Sequence, residues 1–160
     1  MRRLLINIFS VLTLGLLSGC SKTMPTGDLV SLEYTRSGTV AGYEYEGRIE
    51  ADGNGDYIIR AMQEYYGPLY EKKVDAEAVT KLRDIIEREK IYAYKSNYQS
   101  TLNVLDGYSW HFHATFSDGG EIDSHGNNAW PDGGGLGVVH AYLVKLVAGG
   151  TEISTSDRKD

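Results

Sequence analysis

The chain has 160 residues, a formal net charge of −6, 41% hydrophobic residues and a single cysteine. That balance excludes an intrinsically disordered chain and a disulfide scaffold, and the acidic surplus argues against a nucleic-acid partner. The length suits one domain with a real core.

In chain order, the first element is a leader. Arg2 and Arg3 precede an apolar run that ends in small residues, the layout of a secretory signal and too short for a comfortable membrane span. Its end, Leu17-Ser18-Gly19-Cys20, resembles the bacterial lipobox, in which the cysteine is lipidated and becomes the new N-terminus. The resemblance implies a lipoprotein signal peptide over 1–19. It also implies a diacylglyceryl thioether and a further acyl chain, such as palmitate, on Cys20. The membrane is then a partner through the anchor, since several chains attach far more durably than one. Ser21, where an Asp would favour the inner membrane, points to the outer membrane of a Gram-negative cell. The lack of an acidic pair just after the cysteine points to its periplasmic face. The leader carries two of the 16 Lys and Arg and none of the 22 Asp and Glu, so the remainder stands at −8.

Residues 20–27 read as a tether, 28–149 as one α+β domain and 150–160 as a flexible polar tail. Within the domain, 29–35, 40–50 and 57–64 alternate as strands, and 70–74 as a short one; Asp52–Asp56 punctuates them as a turn. The period then changes. Asp75 caps a helix whose Val79, Leu82, Ile85 and Ile86 form one apolar stripe. A polar loop to Gly107 follows Ile91, Tyr92 and Tyr94. Residues 108–116 and 121–125 make a hairpin, 126–135 a loop, and Leu136, Val139, Leu143 and Leu146 the stripe of a second helix. The expected architecture is a mostly antiparallel sheet with both amphipathic helices packed on one face. The run "SHGNNAWPDGGGL" resembles the end of several uncharacterised exported bacterial domains. In those a Gly-x-Asn-x-x-Pro loop, here Gly126, Asn128 and Pro131, joins the last strand to the last helix. That resemblance implies no activity.

The hairpin carries the sharpest chemical question. Tyr108, Trp110, Phe112, Ala114 and Phe116 share one strand face, the apolar one; Ser109, His111, His113 and Thr115 share the other. A three-residue loop, Asp118-Gly119-Gly120, pairs Phe116 with Ile122 and keeps apolar against apolar. It sets His113 opposite His125 and Thr115 opposite Asp123. Three imidazoles and a water would suit zinc, with Asp123 orienting one ring. Histidines on a half-exposed strand face need no ligand, so no metal or other cofactor is the leading expectation. A zinc hydrolase using His111, His113 and His125 is the alternative.

The remaining motifs are weaker. Asp52–Asp56 resembles the start of a calcium loop but has Tyr57 and Gln63 where Gly and Glu belong, so it reads as a hairpin turn. Gly133–Gly137 opens a helix without a dinucleotide fingerprint. No nucleophile elbow occurs, and a lipidated Cys20 leaves no free thiol. The twelve tyrosines read chiefly as packing, Tyr43 and Tyr45 on one strand face. Trp130 beside Asn127 and Asn128, with His125 near, is the candidate binding group for a glycan or peptide ligand. The expected function is a non-enzymatic, lipid-anchored binding or envelope-interaction domain. A purely structural envelope lipoprotein is the third reading.

Overall fold

The computed structural model describes residues 22–38, 43–101 and 107–153. The expected signal peptide over 1–19 and Cys20 lie outside the described residues, as do residues 154–160. Eight strands form one sheet: β1 (Leu29–Ser37), β2 (Tyr43–Ala51), β3 (Tyr57–Met62), β4 (Leu69–Val74), β5 (Asn97–Gln99), β6 (Ser109–Phe116), β7 (Glu121–Asn127) and β8 (Thr151–Ile153). Their order is β5-β7-β6-β1-β2-β3-β4-β8, antiparallel throughout except for the parallel β5–β7 pair. The fold is α+β, as composition and periodicity predict.

Helix α1 (Ala76–Arg88) starts where Asp75 accepts a 2.9 Å bond from the Ala78 N–H, and it buries Val79, Leu82, Ile85 and Ile86. Helix α2 (Gly135–Val147) buries Leu136, Val139, Leu143 and Val147. Val147 therefore takes the place expected of Leu146, which is only partly buried, because the stripe turns with the helix's 3.6-residue period. The helices touch each other, with Tyr142 Oη donating to the Ala78 carbonyl at 3.0 Å. α2 lies against β2, β3 and β4, and α1 against β1.

Three expectations are corrected. The segment after residue 149 is not wholly free: β8 adds to the edge of the sheet beside β4. The polar loop before Gly107 contains a 3₁₀ turn (Ile91–Ala93) and the short strand β5. Finally, the tether is docked from Lys22 onward. Lys22 Nζ donates to the Tyr94 carbonyl at 2.6 Å, and Arg83 donates to the carbonyls of Pro25 and Gly27 at 3.0 Å each. Asp118 Oδ2 accepts from Thr26 N, Thr26 Oγ1 and Gly27 N at 2.8–2.9 Å. With the Gly120 N–H, first in effect, these bonds hold the Asp118 carboxyl down at about 2.

The hairpin register also departs from expectation. His111 faces His125, His113 faces Asp123 and Thr115 faces Glu121. The loop is three residues long, but it is Ser117-Asp118-Gly119, with Gly119 in the left-handed position at φ 80°. A slip of two residues keeps every side chain on its own face, so the apolar pattern does not choose between the two registers. The choice falls to Gly119, which closes the turn, and to Asp118, whose carboxylate accepts from the Gly120 N–H at 3.0 Å. The faces hold within the strand, where Trp110, Phe112, Ala114 and Phe116 are buried, but Tyr108, expected on the apolar face, precedes β6 and is exposed. Asp52–Asp56 is a hairpin turn, and Lys73 Nζ lies 3.2 and 2.8 Å from its two carboxylates, where a cation would sit.

Candidate functional site

The predicted group of Trp130, Asn127, Asn128 and His125 is divided by the sheet. Asn128 is a structural staple. Its backbone takes φ 51°, its N–H donates to the Tyr108 carbonyl at 2.8 Å, and its Oδ1 accepts from the Tyr108 N–H at 2.8 Å. His125 and Asn127 alternate with the buried Ser124 and Gly126, so they face the polar side of the sheet. There they line a hollow of about 340 Å³ with Glu33, Thr35 and Tyr43. Trp130 belongs to the other side. Its ring stacks on buried Trp110 at 5.7 Å and 20°. Tyr43 and Tyr45 part company as well: opposite Arg36/Ser37 the register shifts and β2 carries an extra residue, Glu44, and Tyr43 is exposed while Tyr45 is buried.

The polar face carries His111, His113 and Asp123 close together, with His111 Nε2 2.8 Å from Asp123 Oδ1. His125 stands across from His111 with ring centroids 6.5 Å apart. The triad imagined from sequence, with His125 as third member and Asp123 behind it, is therefore rearranged by the register.

The other face holds the better-formed pocket. Its volume is about 380 Å³, within the usual range for small-molecule sites. β1 supplies Tyr34 and Arg36, the β3–β4 connection Tyr65, the approach to β6 Tyr108, the loop Trp130 and Pro131, and α2 its first turn and His140. Tyr65, Tyr108 and Trp130 are 43%, 47% and 42% exposed, so large aromatic surface in contact with solvent is concentrated at this mouth.

Arg36 organises the pocket. Its Nη1 donates to Tyr65 Oη at 2.7 Å, and Nη2 lies 3.3 Å from Glu44 Oε2. Its guanidinium sits over the Tyr65 ring at 4.9 Å and the Trp130 ring at 5.0 Å, a double cation–π arrangement. Tyr65 in turn stacks on His140 at 5.2 Å, and His140 meets Tyr45 edge-on at 4.2 Å. Trp110, Trp130, Arg36, Tyr65 and His140 thus form one continuous stack, and Tyr45 closes its end edge-on. Arg36 Nε and His140 Nε2 are buried and have no hydrogen-bond partner among the described residues. A buried polar atom left unpaired costs about 1–3 kcal/mol, so both favour a ligand or water that pairs them.

Burial pushes the His140 imidazole below its ordinary value, and the Arg36 charge adds to the shift. The folded chain therefore keeps His140 neutral while the unfolded chain takes up a proton near pH 6.5. Stability through this group is full above that pH and falls as the pH drops towards the folded value. The melting temperature is expected to decline between pH 7 and pH 5, and the His140→Phe variant, which keeps the ring stack, to decline less. Identical pH profiles would exclude His140 as a contributor.

Sequence reading missed Arg36 and His140, although a signal was present. Arg36 stands in the apolar register of Leu32 and Tyr34, and His140 lies one turn from Leu136 in the helix stripe. A polar residue in a buried register needs a partner. A larger groove of about 450 Å³ runs along β4 and both helices and is lined by Lys72, Lys73, Lys81 and Lys145. Three of these are already engaged, with Ala148 O, with the Asp52–Asp56 pair and with Glu77. In comparisons with protein-family models, with curated proteins and with solved structures, nothing matched this chain.

Proposed function

We propose that this chain is a lipid-anchored envelope protein whose domain binds a small acidic ligand, without catalysis, in the pocket around Arg36 and Trp130. The observation that carries the reading is the Arg36 guanidinium, which lies over both the Tyr65 and Trp130 rings at a pocket with exposed aromatic surface, its buried Nε unpaired. Such a wall suits a short peptide or glycan fragment bearing a carboxylate. The ligand carboxylate competes with Glu44, 3.3 Å from Arg36 Nη2, for the guanidinium, and the planar or apolar body stacks on Trp130 and Tyr108. The reading takes both helices on one face of the sheet, with the polar face left open.

The anchor half of the reading rests on Leu17-Ser18-Gly19-Cys20. The chain is docked on the domain from Lys22, two positions after Cys20, and two residues of chain span at most about 7 Å. An anchored domain would thus lie against the bilayer surface rather than swing on a tether. The outer membrane of a Gram-negative cell, periplasmic face, follows from Ser21 and the residues after it.

Both tryptophans belong to the stack, so their fluorescence reports the site. Titration with a panel of acidic di- and tripeptides and uronic-acid oligosaccharides is expected to give saturable quenching with at least one class. Arg36→Met should weaken that binding by roughly 10-fold or more, the loss of one charge-assisted hydrogen bond. Absence of saturable change across both classes at millimolar concentration would contradict the ligand reading.

A further inference from the structure

We propose a second, separate site: His111, His113 and Asp123 form a zinc-binding centre on the polar face of the sheet. Strands β6 and β7 supply it. His113 faces Asp123 across the ladder, and His111 lies two residues along the same face with Nε2 2.8 Å from Asp123 Oδ1. One donor atom from each of the three residues lies within 4.8 Å of the other two. A tetrahedral zinc with bonds of about 2.0–2.1 Å separates its ligands by roughly 3.3–3.5 Å. Small side-chain rotations close that difference, and the backbone, fixed by paired strands, need not move.

The donor set chooses the ion. Two imidazoles and one carboxylate suit a borderline cation such as zinc, whereas calcium and magnesium take all-oxygen shells. The residues around the trio leave it available. Glu33 faces His113 from the opposite side, but its carboxylate is 3.6 Å from Arg48 and is directed to that guanidinium. His125 stands across from His111 with ring centroids 6.5 Å apart, close to the 6.1 Å between His111 and His113, but it is not among the three residues whose donor atoms lie within 4.8 Å of one another. The two histidines are half-buried and Asp123 is exposed, so an ion enters from solvent and the fourth position is open to water or to a group from another molecule. As a mere exposed histidine–carboxylate pair the contact contributes little to stability.

The test uses the full untagged chain, purified in detergent, stripped with chelator, equilibrated with micromolar zinc and gel-filtered before metal analysis. About one zinc per chain is expected. His113→Ala and Asp123→Asn should each weaken binding by at least about 100-fold, more than the loss of a group behind the ligands. Asp123→Asn preserves size and a hydrogen bond to His111, so its loss of metal cannot be ascribed to unfolding; His125→Ala should retain zinc. Absence of zinc from the wild-type chain overturns the proposal. So does undiminished binding in His113→Ala and Asp123→Asn, or loss in His125→Ala with Asp123→Asn unaffected.

Discussion

Gly126→Ala is expected to destabilise the domain by about 1–3 kcal/mol, the usual cost of an overpacked core. A Cβ at residue 126 would lie 2.4 Å from Trp110 Nε1 and 2.5 Å from the Ala129 carbonyl, one of them backbone. Those two atoms are partners in a 2.8 Å hydrogen bond, with the indole donating. The added methyl therefore breaks the bond that fixes the loop to the sheet and displaces Trp130, which stacks on the same indole. Glycine-to-alanine replacement also narrows the unfolded ensemble, but by only about 0.4–1 kcal/mol, so the clash wins. Gly137→Ala supplies the opposite case. It lies in α2 with nothing within 4 Å of its added Cβ, and the variant should be more stable by about 0.5–1 kcal/mol. Thermal melts check both signs, at roughly 4 °C per kcal/mol for a domain of this size. Equal melting of Gly126→Ala and wild type would mean that the Trp110–Ala129 contact does not fix the loop.

Cys20→Ala is expected to abolish palmitate incorporation and to move the protein from the membrane to the soluble fraction in cells. The effect is all-or-none because Cys20 is the chain's single cysteine. Each buried CH₂ of an acyl chain contributes about 0.8 kcal/mol to attachment, so two or three chains dominate partitioning. Folding of the domain should be unaffected, since its N-terminal docking begins at Lys22 and is made by Tyr94, Arg83 and Asp118. Palmitate retained in Cys20→Ala would remove the lipobox reading. Palmitate lost while the variant still sediments with membranes would assign attachment to the uncut apolar leader if the chain keeps its full mass, and to the domain itself if it does not.

How much could be read without coordinates depended on the length of each pattern. The alternation in Trp110–Phe116 and the 3.6-period stripe of α1 extend over enough residues to fix which side is buried, and both hold. The three-residue strands β5 and β8 are too short to show a period; their partners β7 and β4 recruit them. Register was ambiguous because Phe116 opposite Gly120 and Phe116 opposite Ile122 bury the same faces. Loop proximity in sequence suggested that Trp130 and His125 act together, yet strand alternation at Ser124 and Gly126 sends His125 to the far side. Arg36 and His140, one on β1 and one on α2, are 104 positions apart, and only the sheet order brings them into one pocket.

An acidic ligand is expected to engage Arg36 beside Tyr65 and Trp130. The most direct measurement is NMR observation of the Arg36 Nε–H and the Trp130 indole N–H during titration with the acidic peptides and uronic-acid oligosaccharides. Both resonances are expected to shift together and saturate with one ligand class, while His111 and His113 do not respond. Saturable binding that moves neither Arg36 nor Trp130 would contradict it.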